Sequence, residues 1–531
     1  MRQLRVWVIL GAFAVALALA GASDDRAEAA GAGRPNIVLI STDDQTAASL
    51  QVMKNTRRLL GERGTEFEHY YASFPLCCPA RATYLTGQYA HNHGVRDNLA
   101  RLGGGYPALR DPDKVLPVFL KAAGYDTALI GKFLHDYNSL QRPPGWDVFY
   151  SLVDGSFTRY YGWEMTNSVG GSITGGDADG DYITDALTHR FAIPYIKAHA
   201  AGPRPFFLHL SYTAPHWGPG RNDEAGRRCV TPEPFEFDTA RPKPAPRHAH
   251  AFENRPLPQP PSFNEKRIGD KPKTIKRISR FSRADRAALA RRYRCELAAL
   301  LAVDEGIARV IAALNEAGLG KNTVVMFTSD NGYMHGQHRL LGGKVHPYEE
   351  AVRVPFLIRG PGVPKGEKID APAADVDLVP TILDYAGATP GRVVDGVSLR
   401  DYLNGKPPRN RVVMIEAKRP ARVTPRGDIA TRSWIGVHTR RYTYVEHFRA
   451  TAPTEEIGYA LSMGAGKRVD RELYDNELDP YQERSRHRDN AYARPRRDLK
   501  RLLAKMRGCA GAACIVNARV RDPRIEAPRK R

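Results

Sequence analysis

The chain has 531 residues, more than one ordinary domain needs, and 42% of them are hydrophobic, enough for a sizeable core. Its 79 basic residues against 58 acidic ones leave a formal charge of +21, which favours polyanionic partners: nucleic acid, an anionic membrane, or a sulfated or phosphorylated polymer. No helix-turn-helix, zinc-finger or RNA-recognition pattern occurs, so nucleic acid is set aside, and the lack of any Cys-x-x-Cys pair excludes a zinc ribbon.

Arg2 and Arg5 followed by the apolar run Trp7–Ala20 read as an export signal over residues 1–22. Small-x-small cleavage sites lie at Ala20-Gly21-Ala22 and at Ala27-Glu28-Ala29, so cleavage as late as residue 30 fits too. The run is short for a membrane span, and a secreted or extracytoplasmic protein with no stable span is expected. Export permits disulfides. Cys509 and Cys514 enclose a short Ala-Gly-Ala-Ala loop that can close on itself, and Cys229 and Cys295 remain as a second pair by elimination.

After a small-residue linker, Asn36–Ile40 reads as a fully buried strand. It runs into Ser41-Thr42-Asp43-Asp44-Gln45. Two adjacent acids at a buried strand end are costly unless paired or metal-bound; one could cap a helix, both less readily. A helix is expected over residues 53–63. Next comes Phe74-Pro75-Leu76-Cys77-Cys78-Pro79-Ala80-Arg81. Pro79 suits a first helical position and Gly87 a helix stop, so Cys77 is expected just before a helix N-terminus, where an anion or a thiolate is favoured. A buried or disulfide-bonded cysteine is the competing reading. His91-Asn92-His93-Gly94 reads as a polar loop, with metal ligands as the alternative.

Leu116–Gly124 looks helical. Three more buried strands follow: Thr127–Ile130 running into Gly131-Lys132-Phe133-Leu134-His135, Pro205–Tyr212 running into Thr213-Ala214-Pro215-His216, and Thr323–Thr328 running into Ser329-Asp330-Asn331-Gly332. Four strands thus end in polar signatures, and in open α/β sheets ligands sit at the carboxyl ends of strands. A long helix over 287–318 fits a crossover into the last of them. Residues 222–283, rich in Pro, Arg and His, read as a surface insertion. Val354–Arg359 is another strand and Leu378–Gly387 another helix. Beyond a Pro-rich stretch at 405–411, the runs Val412–Ile415, Trp434–His438 and Tyr442–Glu446 suggest a small antiparallel sheet, followed by a helix over Arg496–Arg507 and a frayed basic tail from Arg519.

Asp43, Asp44, Asp330 and Asn331 supply only oxygens, a set suited to Ca2+ or Mg2+ rather than zinc. Arg81, Lys132, His216 and Lys344, the last in a Gly-Gly-Lys loop, can hold a tetrahedral oxyanion. Cys77 is left as the nucleophile candidate. A metal, a cationic cage and a nucleophile describe sulfuryl or phosphoryl transfer.

Cys77-Cys78-Pro79-Ala80-Arg81, with Leu85-Thr86-Gly87, resembles the signature of type I sulfatases. The likeness extends over Pro35–Gln45, Gly131-Lys132, Ala214-Pro215-His216, Thr328–Gly332, Lys344–Pro355, Asp375–Asp384 and Glu472–Asp475. Leu50–Met53, His91–His93, Gly131–Leu134 and Pro143–Trp146 make it most similar to the branch of N-acetylglucosamine-6-sulfatases and heparan sulfate 6-O-endosulfatases. The resemblance implies an alkaline-phosphatase-like α/β fold: a central, mostly parallel sheet sandwiched by helices in a catalytic domain over 34–405, then a smaller C-terminal subdomain of antiparallel sheet plus helix over 406–531. It implies Cα-formylglycine made from Cys77 by a formylglycine-generating enzyme, and Ca2+ (Mg2+ as the lesser fit) held by Asp43, Asp44, Asp330, Asn331 and the converted Cys77. It further implies attack by the hydrated aldehyde with Arg81's help, sulfate held by Lys132, His216 and Lys344, and a sulfated sugar or aryl sulfate as substrate. Many sulfatases carry histidine two residues after the lysine; here that position is Leu134, and His135 follows one residue later as a candidate substrate contact. The alternatives are a broad arylsulfatase, a phosphatase or phosphodiesterase of the same superfamily, and a non-catalytic protein that binds sulfated polysaccharide.

Overall fold

The computed structural model describes residues 33–137, 139, 141–219, 229, 241–408, 410–417, 433–448 and 468–524. The stretch read as an export signal, most of 222–240 and the end of the basic tail lie outside them. The main sheet comprises β1 (Asn36–Thr42), β2 (Thr65–Phe67), β3 (Asp126–Gly131), β4 (Val148–Ser151), β5 (Phe206–Ser211), β6 (Thr323–Ser329), β7 (Phe356–Arg359) and β8 (Glu367–Ile369), in the order β8-β2-β7-β6-β1-β5-β3-β4. The five strands from β6 to β4 are mutually parallel, and β7 runs antiparallel to both β6 and β2.

The strands lack polar alternation because both faces of the sheet are covered. In β1, Val38 and Ile40 point into one apolar cluster and Ile37 and Leu39 into another, all at most 1% exposed. The first cluster is closed by α3 (Arg283–Glu316), whose Leu289, Leu297, Leu300, Ile307, Ile311 and Leu314 form its apolar stripe. This helix opens with a capping box between Ser282 and Asp285. The second cluster is closed by α1 (Cys77–Thr86), α2 (Leu116–Ala122) and α4 (Leu378–Ala386).

A second sheet is fully antiparallel: β9 (Arg411–Ala417), β10 (Trp434–His438), β11 (Tyr442–Phe448), β12 (Arg468–Asp475) and β13 (Val516–Asn517), ordered β12-β11-β10-β9-β13. Helix α5 (Ala493–Met506) packs Leu499, Leu503 and Met506 into its core. The α/β architecture expected from the sequence is therefore the one observed, and both expected disulfides, Cys229–Cys295 and Cys509–Cys514, are formed.

Four local expectations change. α1 begins at Cys77, so Pro79 is its third residue. Residues 53–63 break into a short α turn and a wider π turn, Arg57–Gly61, after a 3-10 stretch. His91 and His93 lie in the short helix Ala90–His93, not a loop. The described part of the 222–283 segment is not a surface insertion: Ser262, Asn264, Glu265 and Lys271 are buried. Lys271 donates to the carbonyls of Gln482 (2.6 Å) and Glu483 (2.7 Å), and Arg339 donates to those of Glu265, Lys266 and Ile278. A buried backbone needs such partners, and here lysine and arginine supply them.

Candidate active site

Parallel register aligns the strand ends. Ser41 pairs with Ser211, Thr42 with Ser329, and Gly131 with Ser211. The residues that follow, Asp43-Asp44, Lys132, Thr213–His216 and Asp330-Asn331, thus emerge along one edge. Two backbone features aim them. Asp44 has a φ of 68°, a left-handed conformation that aspartate tolerates better than most residues, and its N–H donates to Asp330 Oδ1 at 3.3 Å. Gly131 must be glycine, because its φ is +115° and a Cβ there would meet the Ser211 carbonyl at 1.9 Å.

Cations surround the acids. Arg81 Nη2 lies 3.2 Å from Asp43 and 2.8 Å from Asp330, and its other N–H groups reach the Lys132 carbonyl (2.9 Å) and Ser211 Oγ (2.5 Å). Lys132 Nζ contacts Asp43, and Lys344 Nζ contacts Asp44 and lies 3.7 Å from Asp43. Burial pushes the Asp43 carboxyl up, but Lys132, His216, Lys344 and Arg81 together hold it well below the usual range. Asp44 is lowered likewise, chiefly by Lys344 and His216 against burial. Asp330 goes the other way, to about 6, through burial and then repulsion from Asp43.

These residues fit a hard divalent cation. Asp43, Asp44 and Asp330 each offer an oxygen within 4.8 Å of the others. Asp44 Oδ2 and Asn331 Oδ1 are buried without a hydrogen-bond partner, and Asn331 Nδ2 donates to Asp44 Oδ1 at 2.6 Å. Orphaned oxygens beside crowded carboxylates are what a cation would satisfy.

Cys77 is the first residue of α1, and its Sγ lies 3.4 Å from Asp43 Oδ1 and 2.8 Å from Lys344 Nζ. It is a free cysteine, fully buried. Burial, then Asp43, pushes its thiol up to about 11 despite the two lysines. Desolvation outweighs the helix terminus, so the reading of Cys77 as an activated thiolate does not hold for the unmodified side chain. Cys78, also free, accepts from the His135 N–H at 3.2 Å, and burial raises its thiol further.

His216 Nδ1 contacts the Trp217 carbonyl at 2.7 Å, and Nε2 lies 3.8 Å from Asp44 Oδ2. Burial lowers this ring to about 4. His135 lies beside the cluster: its ring is 4.5 Å from that of Phe157, tilted at 31°, the same ring that lies 5.9 Å from Lys132 Nζ, and its Nε2 is buried without a partner. Burial and then Lys132 keep it neutral. His91 is placed elsewhere: it binds Glu416 (3.1 Å) and the Cys509 carbonyl (2.9 Å), a structural role.

Ser211 escaped the sequence reading although it ends a strand as the others do; a lone serine carries little signal. Also missed was Arg292-Glu296-His335, in which Arg292 Nε binds Glu296 at 2.6 Å, His335 binds the same carboxylate, and the guanidinium sits 3.8 Å from the Tyr333 ring centre. Arg292 and Glu296 lie one turn apart on α3, a spacing that only a known helix makes readable.

Comparison with known proteins gives a consistent picture. The family profile described as Sulfatase matches residues 35–388, and one described as N-sulphoglucosamine sulphohydrolase, C-terminal, matches 336–508. An extracellular sulfatase Sulf-1 homolog of Caenorhabditis elegans is 36% identical over 69% of this chain, and the match spans 49% of that protein's length. An arylsulfatase of Volvox carteri is 34% identical over 91% of this chain and 76% of its own. The human N-acetylglucosamine-6-sulfatase is 32% identical over 71% of this chain and 66% of its own. Among solved structures, a protein in complex with its substrate D-glucosamine-2-N,6-O-disulfate has a TM-score of 0.70 at 22% identity, covering 90% of this chain and 98% of that one. A phosphonate monoester hydrolase from Silicibacter pomeroyi has a TM-score of 0.62 at 23% identity, covering 89% and 94%; at such identities these two show the fold alone. With the profile covering well over half of its length, the chain belongs to the sulfatase family.

Proposed function

We propose that the protein is a sulfuric ester hydrolase that removes sulfate from a sulfated sugar, N-acetylglucosamine-6-sulfate being the leading candidate, at a formylglycine made from Cys77 by a formylglycine-generating enzyme. The observation that carries this reading is the contact of Cys77 with Lys344 Nζ at 2.8 Å, inside the group of Asp43, Asp44, Asp330 and Asn331. A nucleophile position, a cation seat and sulfate-binding cations share one buried edge. We read the catalytic unit as 34–405, the C-terminal subdomain as 406–531, and the mature protein as extracytoplasmic.

A formylglycine there would supply, as its hydrate, one hydroxyl as the nucleophile and a second whose loss of a proton would release sulfate, the second being what serine or an unmodified cysteine lacks. Asp43, Asp44, Asp330, Asn331 and the converted Cys77 would hold Ca2+, with Mg2+ the lesser fit, and the ion would supply positive charge to the site. The chain's own groups do the rest. Arg81 locks Asp43 and Asp330 in place through paired N–H contacts. Lys132 and Lys344 present ammonium groups to sulfate oxygens, and the rings of His135 and His216, both acted on by Asp43 and Lys132, stay neutral beside them. With its Nδ1 proton committed to the Trp217 carbonyl, His216 keeps a lone pair at Nε2. Lys344, raised well above its ordinary value by Asp44 against burial, stays cationic beside the sulfate oxygens, and His216 or Lys344 is the proposed donor to the departing alcohol.

A second reading, a broad arylsulfatase, draws on the Volvox carteri relative, the one of those compared that covers most of this chain. Mass analysis of the peptide around Cys77, with a sulfate-release screen over sulfated sugars and aryl sulfates, tests both. We expect loss of the thiol and gain of an aldehyde or its hydrate, with glucosamine 6-sulfates released fastest. An unmodified cysteine in active protein would sink the formylglycine mechanism.

A further inference from the structure

The C-terminal sheet carries a cleft of about 430 Å3 lined by Val469, Asp470, Arg471, His487, Arg488 and Arg496. Four of these six residues are cationic or can become so. Asp470, the only acid, spends one oxygen on the Lys273 N–H at 3.2 Å. Arg496 is held in place by the carbonyls of His487 (2.8 Å) and Asp489 (3.3 Å). Among the described residues, Arg471 and Arg488 have no carboxylate partner, although Arg471 is half-buried. Elsewhere on this subdomain arginines do find acids: Arg468 and Arg507 on Glu446, Arg441 on Asp475, Arg501 and Arg521 on Asp498. Unpaired guanidiniums converging on a cleft with a fixed third arginine make a site for oxyanions, since each guanidinium fork matches a sulfate or carboxylate.

We infer that this cleft is an exosite that grips sulfate or carboxylate groups of a polyanionic saccharide chain, away from the sulfate ester being cleaved. The inference rests on the sulfatase reading for the identity of the chain. The cleft's place in the fold supports a joint role. Arg471 precedes Glu472, and Glu472 accepts from the Tyr348 hydroxyl at 3.1 Å, four residues beyond Lys344. Strand β12 therefore joins the cleft to the segment that bears the catalytic lysine. The chain's +21 charge brings polyanions to the surface in general; the cleft gives them an address.

The test compares the full-length protein with R471A/R488A and with R283A/R286A, two exposed arginines of α3 whose loss changes net charge equally. Affinities for heparin oligosaccharides of increasing length, for inorganic sulfate and for single-stranded DNA are measured against salt, alongside turnover of a small aryl sulfate. We expect R471A/R488A to weaken the longer oligosaccharides about tenfold with a salt slope shallower by about two, to leave aryl sulfate turnover intact, and R283A/R286A to do neither. Equal weakening by both variants, tightest binding of inorganic sulfate, or equal competition by DNA would overturn the exosite. Absence of aryl or sugar sulfate turnover in the unmutated protein would instead refute the sulfatase reading, with the binding series still deciding the cleft.

Discussion

Lys344 contacts both Asp44 and Cys77, so one ammonium joins the proposed cation seat to the proposed nucleophile position. Lys344→Ala is expected to cut kcat for sulfate release by about 10²- to 10³-fold, the range for removing one oxyanion-stabilising donor, with circular dichroism unchanged. Lys344→Arg should fail to restore it, because a planar fork cannot replace a compact charge shared by two partners. Chelation makes a second residue-scale prediction. Stripping the proposed ion would leave Asp43, Asp44 and Asp330 to repel one another within their 4.8 Å cluster, so activity should vanish and the Tm fall, and added Ca2+ should restore both more fully than Mg2+. Asn331→Ala should raise the Ca2+ concentration needed for half-recovery. A calorimetric scan insensitive to chelator would show that this cluster holds no ion.

Between elements, the His91–Glu416 pair joins the short helix after α1 to β9. Burial alone would lower the ring, but Glu416 and the Cys509 carbonyl outweigh it and raise it to about 9. A raised histidine stabilises the fold fully below its unfolded value of about 6.5 and loses that contribution as pH climbs through about 9. Stability should therefore fall by about 3 kcal/mol over that window, measured by urea unfolding, and Glu416→Gln should flatten the profile. The sequence showed both histidines but not the carboxylate partner of His91, more than three hundred residues away. The strand ends were legible because predominantly apolar, buried runs meet sudden polarity at Asp43, Lys132, His216 and Asp330. β2 and β8, three residues each, are too short to show a period. The start of α1 was misjudged by two residues because Pro79 tolerates any position in the first turn. The 241–283 stretch looked like surface because its buried lysine and glutamate serve backbone carbonyls and a histidine, which composition does not reveal.

At the scale of the whole molecule, the Cys229–Cys295 bond closes a loop of 66 residues on α3. The loop-entropy estimate for a loop of that length is about 4 kcal/mol, so mild reduction should lower the Tm without abolishing turnover at moderate temperature. Cys77 has a consequence of another kind. Its side chain is buried beside Asp43, Lys344 and the first turn of α1, too recessed for another protein's active site to close over its backbone. If this residue is the one converted, the maturing enzyme cannot reach it once the chain has collapsed around it. Modification and folding are then in a race, and the sequence of events decides how much active protein a cell obtains. Protein folded first as the thiol should stay permanently inactive when the maturing enzyme is added later, whereas a peptide spanning Phe74–Gly87, or the chain still unfolded, should be converted.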